Sequence, residues 1–250
     1  MIKVVIFDLD GTIYFGDRLA DHAVDVLTAL HEMKIKTCFL TNNSRKGRAD
    51  IYRKLKAFGL NVQLEDVYTS SYLVGRYLKD HGFKSAYVFG EAGLVQEMQR
   101  FGIRVEDDNP DCVIVGYDMT MTYEKIVRSF KHIVNGKRFI ACNLDKSYPI
   151  DSGLLPGCGA MVGALSGCTG LTPEVVVGKP SVYPIEVISK DFGARFEEII
   201  VVGDNIETDI EMANNAGCKS CLIMAEEKHA NCSMVNSLKD VIEIIKEGIK

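Results

Sequence analysis

Residues 3–12, KVVIFDLDGT, decide how this chain is interpreted, because an apolar run ends abruptly in two carboxylates. Residues 4–7 have the continuous apolar character of a buried strand in a parallel sheet. Asp8 and Asp10 follow that run directly. Carboxylates beside a core stay ionised only if a cation or hydrogen-bond donors compensate them. The segment therefore predicts a metal ion or a cluster of donors at this strand end.

Length and composition indicate a globular protein. The 250 residues, 47% of them hydrophobic, are enough for one large domain or two modest ones with packed cores. The net charge of -5 disfavours binding to nucleic acid or to an anionic membrane surface. No stretch approaches the roughly 18 apolar residues of a membrane span, and Asp8 interrupts the first apolar run before it could form a signal-peptide core. We therefore expect a cytoplasmic protein.

Eight cysteines are scattered through apolar segments, which favours reduced and mostly buried thiols over a disulfide framework. Cys218 and Cys221 have CxxC spacing, but no second pair lies at the distance of a zinc ribbon. The sequence favours a structural role for this pair over zinc or redox chemistry.

Strand and helix patterns alternate along the chain, and this alternation predicts a parallel α/β sheet with functional groups at the carboxyl ends of its strands. A glycine-rich loop is expected at residues 152–159, followed by a helix at 160–165. The expected strands lie at residues 4–7, 36–41, 66–70, 85–90, 111–117, 138–143, 199–204 and 219–224.

The chemistry of the strand ends divides the chain into a core and an insertion. Carboxylates follow the first strand, and similar strand-end motifs return only after residue 175. We therefore predict a discontinuous catalytic core of residues 1–79 and 176–250 and a second, smaller α/β domain of residues 80–175. The fold class is α/β, with a Rossmann-like parallel-sheet core and this inserted cap domain.

Oxygen ligands at two strand ends predict a metal site. Asp8 and Asp204 each follow an apolar run, and Asp209 comes five residues after the second. Carboxylates from separate strands, completed by water, suit Mg²⁺.

The same residues suit phosphoryl transfer. With magnesium present, Asp8 can attack phosphorus to give an aspartyl-phosphate, and Asp10 could protonate the leaving oxygen and then activate water. Thr41, Asn42 and Lys179 could hold the phosphoryl oxygens as negative charge shifts in the transition state.

Four motifs resemble those of the haloacid dehalogenase (HAD) superfamily and occur in the same order: DLDGT, TNN, GKP and GDNIETD, at residues 8–12, 41–43, 178–180 and 203–209. The resemblance spans essentially the whole chain. The long insertion between the second and third motifs is similar to that of subclass IIA, which carries the large α/β (C2) cap and includes NagD-like and AraL-like sugar phosphatases and p-nitrophenyl phosphatases. The resemblance implies a magnesium-dependent phosphatase that acts on small phosphorylated metabolites, with sugar phosphates as the expected substrates.

The resemblance also assigns roles to the core motifs. It implies that Asp8 is the nucleophile and a magnesium ligand. It makes Asp10 the general acid/base, whose backbone carbonyl is a further ligand, and Asp204 the carboxylate ligand of the fourth motif. Asp209 becomes a supporting carboxylate.

The remaining motif positions concern the substrate. Thr41, Asn42 and Lys179 match the phosphate-binding positions of the family. Relatives often carry Thr-Asn-Pro-Asp in the cap where this chain has CNLD at residues 142–145. Asn143 and Asp145 are therefore either substrate contacts in the cap or turn formers.

Other activities on the same core stay open. A phosphotransferase, a phosphonate hydrolase, a phospho-accepting signalling module and an inactive binding protein are the alternatives to a phosphatase. The expected partner is a small phosphorylated metabolite, with no nucleic acid and no membrane. A homodimer is left open, as is the part of the cap in forming it.

Overall fold

The computed structural model describes residues 1–150, 153–223 and 232–247, and within them the side chains of all residues except 149 and 150. Two positions of the expected elements, Ser152 and Met224, lie outside the described residues. In the part that is described, no helix is long and apolar enough to cross a membrane.

The strands form two larger parallel sheets and two antiparallel hairpins within the described residues. They are β1 (Val4–Asp8), β2 (Tyr14–Phe15), β3 (Arg18–Leu19), β4 (Lys36–Thr41), β5 (Val67–Thr69), β6 (Ser85–Phe89), β7 (Arg104–Val105), β8 (Cys112–Val115), β9 (Arg138–Ala141), β10 (Ser147–Ile150), β11 (Gly153–Pro156), β12 (Val175–Val176), β13 (Ile199–Gly203), β14 (Lys219–Ile223) and β15 (Ser233–Val235).

Helices separate most of the strands, as the alternating pattern predicts. A π-helical turn, Ile206–Ile210, leads directly into the eighth helix. The α-helices are α1 (Ala23–Glu32), α2 (Arg48–Ala57), α3 (Ser70–Asp80), α4 (Ala92–Arg100), α5 (Tyr123–Val134), α6 (Cys158–Thr169), α7 (Tyr183–Phe192), α8 (Glu211–Ala216) and α9 (Val241–Glu247).

The chain divides into two compact units. The first unit comprises Met1–Thr41, Lys54–Tyr68 and Lys179–Lys250, and the second comprises Asn42–Arg53 and Thr69–Gly178. Near the point where the chain returns from the second unit to the first, β12 (Val175–Val176) pairs with β9 and so belongs to the second unit's sheet. The predicted domain boundaries, at residues 79/80 and 175/176, stay a prediction.

The first unit is built on a six-stranded sheet with the order β15-β14-β13-β1-β4-β5. The strand β1 lies between β13 and β4, is parallel to both, and is fully buried. Phe7 pairs with Val202 on one side and with Phe39 on the other. Because the strands are parallel, the residues that end β1, β4 and β13 lie along one edge of the sheet.

The second unit is built on a five-stranded sheet with the order β12-β9-β8-β6-β7, in which the pairings are parallel. Helices α5 and α6 pack on its core through apolar residues such as Ile133, Met161 and Leu165. The predicted fold class, an α/β protein with a Rossmann-like core and a smaller α/β domain, is confirmed.

The glycine-rich loop predicted at residues 152–159 is wrong. Within it, β11 forms an antiparallel hairpin with β10, and α6 already begins at Cys158. Gly153 and Pro156 suggest a loop in the sequence because both residues are poor in central strands. Both residues are tolerated here because the sheet contains only β10 and β11, so each strand is an edge strand.

Candidate active site

A buried lysine joins two carboxylates at the edge of the first unit's sheet. The Nζ of Lys179 donates to Asp8 Oδ1 and, across 2.6 Å, to Asp209 Oδ1. All three side chains are buried, with Lys179 3% exposed and Asp209 1% exposed. Asp8 is here because it ends β1, and Lys179 because it lies in the segment between β12 and α7. A buried charge of this kind is stable only when it is paired, and the lysine has two partners.

Asp204, directly after β13, completes an acidic cluster. One carboxylate oxygen from each of Asp8, Asp204 and Asp209 lies within 4.8 Å of the others, so the three could hold a metal ion. Asp204 is exposed, whereas Asp8 and Asp209 are buried. The hydroxyl of Thr12 donates to Asp204 Oδ1 across 3.4 Å. Among the described residues this is the one group of three or more His, Cys, Asp or Glu side chains close enough to hold a metal.

A glycine lets the backbone approach this cluster. Gly11 has a φ of +96°, and a Cβ at that position would lie 2.2 Å from Asp204 Oδ2. A side chain there would both strain the backbone and displace the carboxylate. The glycine of the DLDGT motif thus makes room for Asp204.

Asp209 holds two neighbouring parts of the acidic cluster in place. It lies in the π-helical turn, where Oδ2 accepts a hydrogen bond from the backbone N–H of Asn205 across 3.2 Å. Because Oδ1 binds Lys179, both oxygens of Asp209 have protein partners. The carboxylate therefore orients the lysine and the loop that carries Asp204.

The charges in the cluster are not balanced. Burial raises the pKa of Asp8 well above its usual range; Lys179 counteracts this, and Asp209 and Asp204 reinforce it. The pKa of the Asp204 carboxyl is raised as well. The main cause is loss of water on its packed side, and the charge of Asp209 is the second. Burial alone would lower the pKa of Lys179, but Asp209 and Asp8 outweigh it and raise the pKa, so the amine stays protonated. Within this cluster Lys179 contacts two of the three carboxylates, and oxygen ligands that carry more negative charge than one ammonium group offsets suit a hard divalent cation.

Asp10 lies two residues beyond β1 and is exposed. Its Oδ2 accepts a hydrogen bond from the hydroxyl of Tyr14 across 3.2 Å. Tyr14 is 1% exposed, and burial together with Asp10 raises its pKa well above the usual value, so the phenol is a protonated donor. Sequence reasoning missed this tyrosine, and it missed Thr12.

Thr41 ends β4 and is buried, 4% exposed, in the first unit. Of the nine predicted site residues, the first unit contains Asp8, Asp10, Thr41, Lys179, Asp204 and Asp209.

The other three predicted site residues lie together in the second unit. The side-chain amide of Asn42 donates to Asp145 Oδ1 across 2.8 Å, and that of Asn143 donates to the backbone oxygen of Asn42 across 2.7 Å. Asn143 is 2% exposed. Their contacts to each other had no signal in the sequence, because 100 residues separate the two segments.

Two protein-family models match this chain. A family described as haloacid dehalogenase-like hydrolase matches residues 5–104, which include the DLDGT and TNN motifs. A second, described as HAD-hydrolase-like, matches residues 176–239, which include GKP and GDNIETD.

Individual relatives match over nearly the whole chain. Sugar-phosphatase AraL of Bacillus subtilis (strain 168) is 31% identical over 255 residues, which cover 98% of this chain and 94% of that protein. The structure of p-nitrophenyl phosphatase from Archaeoglobus fulgidus has a TM-score of 0.92 at 28% identity and covers 97% of this chain and 99% of that one. NagD from E. coli K-12 has a TM-score of 0.86 at 28% identity, over 95% of this chain and 97% of its own.

Proposed function

Because the chain belongs to the haloacid dehalogenase-like hydrolases, as a NagD-like phosphatase, we propose that it is a magnesium-dependent phosphomonoester hydrolase that works through an aspartyl-phosphate on Asp8. The observation that supports this most is the acidic cluster of Asp8, Asp204 and Asp209, with Lys179 bridging two of its members. Two of the relatives are named phosphatases, AraL and the Archaeoglobus fulgidus enzyme; the metal and the covalent intermediate are the proposal.

The donor set fits magnesium. The side chains of Asp8 and Asp204 and the backbone carbonyl of Asp10 would hold the ion, in agreement with the preference of Mg²⁺ for one or two carboxylates plus water. Asp209 keeps a supporting role in this proposal, because it already accepts hydrogen bonds from Lys179 and from the backbone N–H of Asn205. When bound, Mg²⁺ would polarise the phosphoryl group and offset the negative charge of the cluster.

Asp8 performs the first step. A carboxylate oxygen of Asp8 forms a bond to phosphorus while the bond between phosphorus and the ester oxygen breaks. The ester oxygen keeps the bonding electron pair and takes a proton from Asp10, which becomes a carboxylate. In the second step Asp10 takes a proton from water, the water oxygen bonds to phosphorus, and the bond to Asp8 breaks, which releases phosphate and restores both residues.

The phosphoryl oxygens need positive charge and donors in both steps. Lys179 supplies a fixed ammonium group beside Asp8, held in place by Asp209. Thr41 ends the strand next to β1 and supplies a hydroxyl donor. For Asn42, a phosphate-binding role stays a prediction.

We propose a sugar phosphate or similar small metabolite as substrate, supported by the sugar phosphatase among the relatives. The proposed core of residues 1–79 and 176–250 would carry the chemistry, and the inserted domain of residues 80–175 the leaving-group specificity. A cytoplasmic location is in agreement with the eight free cysteines, since a reducing compartment keeps thiols unpaired. No part for nucleic acid is proposed, and a homodimer stays open.

A substrate screen with one matched pair of variants tests the proposal. Phosphorylated sugars, nucleoside monophosphates and small acid phosphates are ranked by kcat/KM with and without MgCl₂, because discrimination is expressed in that ratio. Asp8→Asn should abolish turnover of every substrate. Asp25→Asn, which changes an exposed carboxylate on α1, should leave turnover unaltered. Near-normal turnover in Asp8→Asn would remove Asp8 from the nucleophile role, and turnover independent of metal would remove magnesium.

A further inference from the structure

We propose that Tyr14 is a positioning residue for the acid step: its hydroxyl holds the Asp10 carboxyl group at the point from which the leaving ester oxygen is protonated. The inference rests on the proposed role of Asp10 as the general acid. It concerns a residue outside the four motifs, in the short strand β2.

Tyr14 is buried and is held by contacts of both its backbone and its ring. Its backbone N–H donates to Leu9 O across 3.1 Å, and its backbone oxygen accepts from the N–H of Gly11 across 2.9 Å. The ring contacts Phe58, with 5.6 Å between the ring centroids, and the ammonium of Lys54 lies 3.8 Å from the centre of the tyrosine ring. A cation over a buried aromatic face adds to the attraction that packing supplies. The backbone bonds to Leu9 and Gly11 and the ring contacts to Lys54 and Phe58 therefore restrict where the hydroxyl can lie.

Asp10 differs from Tyr14, because its side chain is exposed. An exposed carboxylate samples several rotamers, and a general acid works well only when it is held near the proton acceptor. The 3.2 Å hydrogen bond from Tyr14 to Asp10 Oδ2 selects among those rotamers. When Asp10 is protonated on Oδ1, Oδ2 can still accept from the phenol, so the contact persists in the acidic form.

This role predicts a dependence on the leaving group. A sugar alkoxide is a strong base and leaves only if it is protonated as the P–O bond breaks, whereas p-nitrophenolate leaves readily without an acid. The kinetic constant to compare is kcat/KM, because it covers the steps up to release of the alcohol and not the later hydrolysis of the aspartyl-phosphate. Loss of Tyr14 should therefore affect a sugar phosphate more than p-nitrophenyl phosphate.

The experiment measures kcat/KM of the full chain with MgCl₂ for both substrates. Tyr14→Phe removes one oxygen and keeps the ring, and we expect kcat/KM for the sugar phosphate to fall about tenfold more than kcat/KM for p-nitrophenyl phosphate, as for the loss of one hydrogen bond to a charged group. Replacing Tyr14 with 4-aminophenylalanine, which restores a donor, should bring the ratio of the two constants back toward that of the wild type.

A matched control exists in the same unit. The hydroxyl of Tyr68 donates to Asp191 Oδ2 across 3.1 Å, and the ring is also 1% exposed, so Tyr68→Phe removes an equivalent hydrogen bond outside the acidic cluster. That variant should leave the ratio unchanged.

The variant Asp10→Asn separates the role of Tyr14 from that of Asp10. If Asp10→Asn affects the sugar phosphate selectively but Tyr14→Phe affects both substrates equally or neither, the role of Tyr14 is overturned and that of Asp10 is retained. If Asp10→Asn itself shows no such selectivity, the acid step of the proposed function is wrong, and the inference about Tyr14 falls with it.

Discussion

The side-chain amide of Asn143 donates to the backbone oxygen of Asn42 across 2.7 Å. Asn42 in turn donates from its own amide to Asp145 Oδ1 across 2.8 Å, and the backbone N–H of Asp145 donates to Asn143 Oδ1 across 3.1 Å. The three residues thus form a closed ring of hydrogen bonds. The last of these bonds is that of an Asx turn, which favours turn formation over substrate contact for Asn143.

From this ring we predict that Asn143→Ala raises KM for all phosphate esters by a similar factor. Removing the amide leaves the backbone oxygen of Asn42 without this donor, which costs about 1–3 kcal/mol in the free energy of unfolding. We also expect it to displace Asn42. Phosphate is common to every substrate, so the effect should not depend on the alcohol. The measurement is KM for three esters with different alcohols, together with urea unfolding.

An exposed asparagine provides the control for that experiment. Asn109 accepts a hydrogen bond from Lys137 at the surface of the same unit, and Asn109→Ala should change neither KM nor stability appreciably. Unequal changes in KM among the three esters for Asn143→Ala would show instead that Asn143 contacts the leaving group.

The second prediction separates Asp209 from the magnesium ligands. Asp209→Asn removes the negative charge of one partner of the buried Lys179, and breaking such a buried ion pair typically costs about 3–5 kcal/mol of stability. Apparent magnesium affinity, measured from activity against MgCl₂ concentration, should fall less in this variant than in Asp204→Asn. A larger fall in Asp209→Asn than in Asp204→Asn would make Asp209 a ligand.

The third prediction concerns pH. Burial raises the pKa of Asp8 in the metal-free protein, so the folded state holds this proton more tightly than the unfolded chain does. The resulting stability is present at low pH and is lost as the pH rises through the raised pKa of the folded state. A bound cation offsets that loss and competes with the proton.

The increase in Tm caused by MgCl₂ should therefore be larger at about pH 8 than at about pH 5. Thermal unfolding with and without MgCl₂ at the two pH values measures it. Asp204→Asn should reduce the increase at the higher pH, and an increase that shrinks as the pH rises would contradict the proposed ligands.

The sequence predicts most of the first unit's strand ends because each carries a run of apolar residues followed directly by a polar one. Asp8, Thr41 and Asp204 are found at such positions, after or at the ends of β1, β4 and β13. The motif spacing also indicates Lys179 and Asp209. Parallel pairing of β1, β4 and β13 brings Asp8, Thr41 and Asp204 to one edge of the sheet, so the linear pattern is enough to predict that they lie there together.

Short elements and contacts between distant segments are harder to predict from the sequence. The strands β2 and β3 have two residues each, too few for a periodic pattern, so the contact of Tyr14 with Asp10 had no signal. The elements predicted from sequence do not include α7, although Pro184 near its start and Gly193 at its end are typical of helix boundaries. The ring around Asn42 depends on tertiary packing between distant segments, which local sequence does not encode.

The central claim is that Asp8 becomes phosphorylated, and borohydride trapping tests it most directly. Borohydride reduces an acyl phosphate to the alcohol, so an aspartyl-phosphate is converted to homoserine at that residue. Asp10→Asn should accumulate the intermediate from p-nitrophenyl phosphate with MgCl₂, because this ester needs no acid to leave while the second step lacks its base. We predict that peptide mass spectrometry finds homoserine at position 8. Homoserine at another aspartate, or its absence at position 8 while p-nitrophenol is released in a burst, would contradict the account.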